Sequence, residues 1–219
     1  LPEIYQSAVQ QTNKSMPKIF IETGTFKGGV PHLIMERYNE LDSQFNHYYT
    51  IELSEDLCKI ASKRYKSFEQ YNYKPPYDIR HSDDMDTSFS KQCTYCNNRL
   101  TLINGDSAVE LKKLLETINE PICFWLDAHS GAQQYARGIE DVPLLAELDL
   151  IKNHHIKDHI IAIDDAHLFG KIQYNSEGDV SCDYSNVTFE RVREKLLEIN
   201  PNFDVGVYAP YQMQMVIAV

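Results

Sequence analysis

The chain has 219 residues and carries 32 Asp and Glu against 21 Lys and Arg, a formal net charge of −11. This length suits one α/β domain. A nucleic-acid-binding protein usually shows a cluster of Lys and Arg, which this sequence lacks, so nucleic acid is not expected as a partner. No apolar run approaches the roughly 20 residues of a membrane helix, and no signal peptide is recognisable. The five cysteines form no paired framework, which is typical of a reducing compartment, and we predict a cytoplasmic protein without membrane contact.

Residues 1–219 are predicted to form a single domain, and the start at Leu1 rather than Met leaves a larger parent protein open. Within the domain, residues 1–17 are predicted as a helical lead-in. Residues 66–98 are predicted as an insertion, because a plain βαβ unit would cross this distance in a few residues. The insertion would carry substrate specificity or a subunit contact, or would be a plain surface excursion. The oligomeric state is not predicted.

The segment KIFIETGTFKGG at 18–29 joins a short apolar run to a glycine-rich turn, and a helix is predicted to follow over 30–38. Strand, glycine turn and helix together form the first βα unit of an open parallel sheet. Glycine lets the backbone approach a ligand closely and adopt a positive φ. The free N–H groups at the start of the helix can bind an anionic part of that ligand.

Strands and helices continue to alternate along the chain. Further predicted strands are 47–51, 100–103, 122–127 and 159–163, and further predicted helices are 54–65, 108–117, 142–153 and 189–199. The chain closes with a predicted hairpin of 203–208 and 212–219. This order predicts an α/β fold with a seven-stranded Rossmann-like sheet, mostly parallel with an antiparallel C-terminal hairpin, and helices on both faces.

Carboxylates follow all five predicted parallel strands. They are Glu22, Glu52, Asp106, Asp127 and the pair Asp164-Asp165. In open α/β sheets ligands bind outside the carboxyl ends of the strands, so these side chains are predicted to line one cleft. Glu52, after the second strand, is placed to accept hydrogen bonds from both hydroxyls of a ribose.

The glycines after the first strand do not follow the G-x-G-x-x-G spacing of nicotinamide-binding proteins, because they lie at positions 24, 28 and 29. Glu22 precedes this turn, and an acidic residue there suits a cationic cofactor better than a pyrophosphate. The pattern therefore favours a nucleoside cofactor with a positively charged group.

Five successive motifs resemble those of class I S-adenosylmethionine-dependent methyltransferases. They are Ile21-Glu-Thr-Gly-Thr25, Ile51-Glu-Leu-Ser54, Gly105-Asp-Ser107, Phe124-Trp-Leu-Asp-Ala-His129 and Ile163-Asp-Asp-Ala-His167. The resemblance spans 18–219 apart from the insertion. It implies a methyltransferase sheet and S-adenosylmethionine as the cofactor, with the methionine end at Glu22, Gly24 and Thr25, the ribose at Glu52, and adenine at Asp106 and Ser107. The cofactor-binding residues it implies are Glu22, Thr23, Gly24, Thr25, Gly28, Glu52, Leu53, Asp106, Ser107 and Asp127.

Asp127, Asp164 and Asp165 resemble the carboxylate set of metal-dependent O-methyltransferases, including those that act on macrolide sugars and catechols. These three are the predicted metal ligands, with Mg²⁺ as the ion because it prefers oxygen ligands. Asp127, His129 and His167 are the predicted catalytic residues, with His129 as the first choice of base and His167 as the reserve. His129 follows Asp127 by two residues, one fewer than in the sugar-methylating relatives. Without a metal, Asp127 would line the cleft, the aspartate pair would form a turn, and His129 would be a structural hydrogen-bonding residue.

The predicted function is methyl transfer from S-adenosylmethionine to a hydroxyl of a sugar or glycan, assisted by Mg²⁺. One alternative is a metal-independent N- or O-methyltransferase acting on a small molecule or a protein. A second is a non-catalytic scaffold module of a glycan-assembly protein, and a third is a nucleotide-sugar-binding domain. Residues 166–187 are a candidate lid over the acceptor. Arg137 is predicted to hold a substrate group or to pair with Glu140.

Three smaller predictions concern residues outside these motifs. Cys93 and Cys96 form a lone CxxC, which favours a loop with two free thiols over a zinc site that needs four ligands. Trp125 is predicted to be a core residue. The histidines at 81, 154 and 155 are predicted to lie at the surface.

Overall fold

The computed structural model describes residues 16–37, 45–70, 90–131, 136–208 and 214–219. The strands are β1 (Ile19–Thr23), β2 (His47–Glu52), β3 (Gln92–Tyr95), β4 (Leu100–Asn104), β5 (Ile122–Leu126), β6 (Ile160–Ile163), β7 (Ile172–Tyr174), β8 (Val180–Asp183), β9 (Val205–Tyr208) and β10 (Met215–Ala218). The helices are α1 (Gly29–Arg37), α2 (Glu55–Gln70), α3 (Ser107–Leu115), α4 (Leu144–Asn153) and α5 (Phe189–Ile199), with a 3₁₀ turn at Ala166–Leu168. The predicted lead-in lies almost wholly outside the described residues, as do residues 71–89 of the predicted insertion and His81.

Eight strands form one sheet in the order β3-β4-β2-β1-β5-β6-β10-β9. Strands β4, β2, β1, β5 and β6 run parallel to one another, whereas β10 runs antiparallel to β6 and β9 antiparallel to β10. The predicted Rossmann-like sheet with an antiparallel C-terminal hairpin is therefore confirmed. The strand order reverses between β1 and β5, and a crevice opens at such a reversal in open α/β sheets.

The sheet has one strand more than predicted. Gln92–Tyr95, at the end of the predicted insertion, pairs antiparallel with β4 and forms the edge strand β3. Only Tyr95 of this strand is buried, and its hydroxyl donates a hydrogen bond to Ser62 over 2.7 Å. An edge strand needs backbone pairing on one side and little apolar surface, so its sequence gives a weak strand pattern. Cys93 lies in this strand, and all five cysteines are free thiols.

Side chains of successive strand residues alternate between two apolar layers. One layer joins Phe124 and Ile161 to α3, α4 and α5, and the other joins Phe20 and Trp125 to α1 and α2. The central strands β1 and β5 are buried along their whole length, as expected for parallel strands covered on both faces. The prediction that helices cover both faces is thus confirmed, and so is the burial of Trp125. Among the described helices, none is long and apolar enough to cross a bilayer.

A pair of buried histidines links the amino ends of β5 and β6. His159 Nδ1 accepts the Ile122 N–H over 3.1 Å, so its Nε2–H donates to His154 Nδ1 over 3.2 Å. His154 Nε2–H then donates to the carbonyl of Ile118 over 2.9 Å. The prediction that His154 lies at the surface is wrong, because in the turn after α4 its side chain is buried against His159 and Ile118. His155 is exposed as predicted.

Candidate active site

A cleft opens at the carboxyl ends of β1, β2, β4 and β5, where the sequence placed its acidic strand ends. Residues predicted from the sequence that line it are Gly24, Glu52, Leu53, Asp106, Ser107, Asp127 and His129. Each lies at or just after the end of a strand. The parallel register of β1 with β2 and β5 brings these ends to the same edge of the sheet.

Gly24 allows the turn after β1 to meet the turn after β5. Its φ is +83°, and a Cβ atom placed on it would lie 2.4 Å from the carbonyl oxygen of Asp127. Its N–H donates to the carbonyl of Ile51 over 2.9 Å, which ties the same turn to β2. Only a residue without a side chain fits between these two strands.

Glu52 is buried at the end of β2, and each of its carboxylate oxygens is held by a backbone donor. Oε2 accepts the N–H of Phe26 and Oε1 accepts the N–H of Ser54, both over 2.8 Å. Burial raises the pKa of Glu52, and these two N–H groups act in the opposite direction. The carboxylate is therefore fixed, and each oxygen keeps a lone pair for a ligand. Phe26, with a φ of +50°, was not predicted as a site residue, because an isolated phenylalanine gives no sequence signal for a positive φ.

Asp106 caps the amino terminus of α3 through a hydrogen bond from the Ala108 N–H to Oδ1 over 2.9 Å. Its other oxygen, Oδ2, lies 3.0 Å from the position of a Cβ atom on Gly138, and Leu53 Cδ2 lies 3.5 Å from the same point. Asp106, Leu53 and Gly138 thus bound a narrow slot in the cleft. Gly138 was not predicted, because it belongs to a loop that is distant in sequence from the strand ends.

Four of the predicted cofactor residues do not line the cleft. Glu22, Thr23 and Thr25 are buried beneath it, and a Cβ atom on Gly28 would lie 2.9 Å from the ring of Tyr65 in α2. These four residues support the turns of the cleft from below. The side chains of Glu22 and Thr25, which the resemblance implied at the methionine end of the cofactor, are therefore buried and do not line the cleft.

Glu22 belongs to a buried polar network. The Thr50 hydroxyl donates to Glu22 Oε2 and is also hydrogen-bonded to the hydroxyl of Thr25. Burial, together with smaller effects of the Asp127 and Glu52 carboxylates and against the lowering effect of Thr50, raises the pKa of Glu22 to about 8. Glu22 is thus largely protonated at neutral pH.

Asp127, His129 and Asp165 converge on one side of the cleft, with one nitrogen or oxygen atom of each within 4.8 Å of the others. His129 Nε2 lies 3.4 Å from Asp165 Oδ2 and 3.9 Å from Asp127 Oδ1. Burial and the carboxylates of Asp164 and Asp165 raise the pKa of Asp127 well above its usual value. Burial by itself lowers the pKa of His129, but the neighbouring Cys182 thiol, the Ser130 carbonyl and the Asp165 carboxylate together raise it.

Asp164 and His167 lie beside this cluster. The Asp164 side chain accepts the N–H of Asp165 over 2.8 Å, and Asp165 itself has a φ of +56°. His167 Nδ1 lies 3.7 Å from Asp165 Oδ1. The left-handed conformation of Asp165 aims its carboxylate at the two histidines and leaves Asp164 with a backbone partner. The group that could hold a metal therefore contains His129 in the place predicted for Asp164.

The hairpin β7–β8, within the predicted lid, is hydrogen-bonded to residues that follow β5. The Ser130 N–H donates to the carbonyl of Asp141 over 2.6 Å, and the Ser130 hydroxyl donates to the carbonyl of Ser181 over 3.3 Å. Arg137 Nη2 donates to the carbonyl of Val180 over 2.8 Å, and its Nε lies 4.0 Å from Asp141 Oδ1. The acidic neighbour of Arg137 is thus Asp141, where the sequence suggested Glu140.

No model of a known protein family matches the chain, and no curated protein matches it. Solved structures do resemble it. An O-methyltransferase from Bacillus cereus in complex with SAH is 14% identical with a TM-score of 0.52, over 99% of this chain and 79% of that one. An O-methyltransferase from Streptomyces achromogenes involved in tomaymycin synthesis, in complex with SAM, is 11% identical with a TM-score of 0.52, over 100% and 79%. The methyltransferase domain of a bacterial CtHen1 is 11% identical with a TM-score of 0.53, over 99% and 94%.

The chain has the fold of the class I S-adenosylmethionine-dependent methyltransferases. At these identities the likeness concerns the fold, and the chemistry of this protein has to be argued from its own residues.

Proposed function

We propose that this protein is an S-adenosylmethionine-dependent O-methyltransferase that methylates a hydroxyl of a sugar or glycan with the help of a divalent cation. The observation that carries the proposal is Glu52, held by the Phe26 and Ser54 N–H groups at the end of β2, the strand next to β1, where the strand order reverses. A carboxylate fixed in this way can accept hydrogen bonds from two vicinal hydroxyls of a ribose.

The donors and acceptors of the cleft fit the remaining parts of S-adenosylmethionine. Leu53 and Gly138 leave a flat slot beside Asp106 that suits adenine, whose amino group can donate to the free Asp106 oxygen. Gly24 lets the backbone approach the ligand without a side chain in between. The cleft carries several carboxylates, which suits a cofactor with an ammonium and a sulfonium. S-adenosylmethionine supplies a methyl group that is already activated, so the protein mainly has to hold the acceptor in line with it.

The acceptor would lie beside Asp127, His129 and Asp165. A sugar hydroxyl is weakly acidic, and a divalent cation held by the two carboxylates would lower its pKa. His129 or His167 would take the proton, since both lie within 4 Å of Asp165. Glu140 and Asp141 make the neighbouring wall acidic, which favours a neutral, hydroxyl-rich acceptor over a phosphorylated one.

Isothermal titration with S-adenosylmethionine, with and without Mg²⁺, tests the proposal on the wild type and on Glu52→Ala. We expect saturable binding by the wild type and a loss of affinity of about 10- to 100-fold in the variant, since hydrogen bonds to a charged group contribute about 1.5–3 kcal/mol. Glu55→Ala is the matched control, because Glu55 is exposed and pairs with Lys59. An absence of binding by the wild type would favour the scaffold alternative.

Metal-independent methylation of an amine is the second candidate. The carboxylates that could hold a cation could equally bind an ammonium group of a small molecule or a protein. Activity on an amine that survives EDTA would support this candidate and contradict cation assistance. For location we keep the cytoplasm as the proposal, which the five free thiols support.

A further inference from the structure

The cluster at Asp127 differs from an all-oxygen magnesium site in one ligand. Its three converging groups are two carboxylates and an imidazole, because Asp164 is engaged by the backbone of Asp165. Mg²⁺ and Ca²⁺ prefer oxygen ligands, whereas an imidazole nitrogen favours first-row transition ions. The identity of the third ligand therefore bears on which ion the cleft selects.

The hydrogen bond at the other ring nitrogen fixes the tautomer of His129. Its Nδ1 lies 2.6 Å from the carbonyl oxygen of Ser130, an atom that can only accept, so Nδ1 carries the hydrogen. In the neutral ring, Nε2 then presents a lone pair to the side of the cleft that holds Asp127 and Asp165. An imidazole with Nδ1–H bonded to a backbone carbonyl is the usual arrangement of a metal-binding histidine.

Two carboxylate oxygens and one ring nitrogen meet at this point, a set of atoms that can hold a cation. The distances from Nε2 to the two carboxylates, 3.4 and 3.9 Å, exceed those of a direct hydrogen bond. A cation placed between the three atoms would contact each of them, because all three lie within 4.8 Å of one another. The ring of Tyr184, directly after β8, lies beside the His129 ring with a distance of 6.0 Å between the ring centres.

We propose that His129 is a metal ligand together with Asp127 and Asp165, and that this site selects a first-row transition ion such as Mn²⁺ over Mg²⁺. The inference rests on the proposed function, because it concerns the cation of the same cleft. It assigns His129 to the metal, and His167, with Nδ1 3.7 Å from Asp165 Oδ1, is then the remaining candidate for the base.

The test uses the full chain, freed of metal with a chelator and titrated with Mn²⁺ while free Mn²⁺ is followed by electron paramagnetic resonance. We expect Mn²⁺ to bind and to remain bound in an excess of Mg²⁺. Pulsed resonance spectra of the bound ion should carry modulation from an imidazole nitrogen. Mn²⁺ that binds without this modulation, or that Mg²⁺ displaces readily, would overturn the proposal.

Three variants separate this site from the three-aspartate alternative. His129→Gln should lose the nitrogen modulation and weaken Mn²⁺ binding by at least about tenfold, since even the loss of a group that only orients a ligand costs about 10- to 100-fold. Asp165→Asn should weaken Mn²⁺ binding similarly, and Asp164→Asn should leave it nearly unchanged. The opposite ranking, with Asp164→Asn damaging and His129→Gln harmless, would establish an oxygen-ligand site and overturn the inference.

Titration of the metal-free proteins with S-adenosylmethionine keeps the two proposals apart. Cofactor binding without Mn²⁺ binding would overturn the metal site and leave the methyltransferase proposal standing. Retained cofactor affinity in His129→Gln would also show that the variant is folded, so that a loss of Mn²⁺ binding reports on the ligand itself.

Discussion

The two ends of the parallel strands β5 and β6 carry clusters of titratable side chains that are built in opposite ways. At the amino ends, the ring nitrogens of His154 and His159 each have a partner, and their hydrogen bonds run in one direction from Ile122 to Ile118. At the carboxyl ends, two carboxylates face a histidine whose donor hydrogen points away from them. The first cluster is satisfied by hydrogen bonds within the protein, whereas the second brings two carboxylates to one imidazole without a close hydrogen bond between them.

This difference separates a structural cluster from a ligand site. Buried polar groups with all hydrogen bonds made stabilise a fold, whereas like charges kept close together raise the free energy of the folded state. Such a cluster is retained at a cost in stability when a ligand uses it. The two clusters should therefore respond to mutation with opposite signs.

The largest effect is expected where the cleft depends on backbone contact. Gly24→Ala should destabilise the fold by about 2–5 kcal/mol, since a positive φ costs about 1–2 kcal/mol and overpacking about 1–3 kcal/mol. Gly178→Ala is the matched control, because its φ is +88° but a Cβ atom there would meet nothing within 4 Å. Urea denaturation measures both variants, and equal losses would show that the contact with Asp127 is unimportant.

His159→Leu should destabilise the protein by about 2–4 kcal/mol. It leaves the buried Ile122 N–H and the Nδ1 of His154 without partners, and each unsatisfied group costs about 1–3 kcal/mol. His155→Leu, at the exposed neighbour, should change the unfolding free energy by no more than about 0.5 kcal/mol. A small effect of His159→Leu would mean that the histidine pair does not anchor β5 and β6.

The same pair predicts how stability depends on acid. Burial, with a smaller effect of His154, lowers the pKa of His159 to about 3, while the unfolded value is near 6.5. Between these values the unfolded chain binds more protons, so the stability that His159 contributes is complete above pH 6.5 and is lost as the pH falls towards 3. As the pH is lowered from 6.5 towards 3, the difference in unfolding free energy between wild type and His159→Leu should therefore decrease by up to about 1.4 kcal/mol for each pH unit. The other titrating groups are present in both proteins, so their effects on stability cancel in this difference. A difference that stays constant between pH 6.5 and 3 would contradict the prediction.

Asp127→Asn should have the smallest effect on stability and the opposite sign. Removing the charge relieves repulsion from Asp164 and Asp165, so the variant should be stabilised by about 1 kcal/mol. It should also lose Mn²⁺ binding. Asp149→Asn is the contrasting variant, because it breaks the 2.6 Å ion pair with Lys195 and should slightly destabilise the protein. A lower stability of Asp127→Asn would mean that favourable contacts of the Asp127 carboxylate outweigh its repulsion from Asp164 and Asp165.

The fold and the part of the cleft that contains Glu52 and Asp106 could be predicted from local sequence. The order of apolar runs, glycine turns and amphipathic segments predicted the parallel strands, and carboxylates directly after those strands placed Glu52 and Asp106. A side chain that follows a strand points into the crevice because the strand direction fixes it. The edge strand β3 was missed because pairing on one side requires little apolar sequence.

Only the tertiary structure decided which residues far apart in sequence contact each other, and in which direction the backbone aims their side chains. Glu22 and Thr25 are buried because both side chains hydrogen-bond to Thr50 of the neighbouring strand, and Gly138 reaches Asp106 from a distant loop. The positive φ of Asp165 sends its carboxylate to His129 and leaves Asp164 with the backbone. The sequence by itself determined the sheet and which strand ends are acidic. The local backbone conformation and long-range packing determined which of those acids meet, because the relative positions of the acids depend on φ angles and contacts that no single segment encodes.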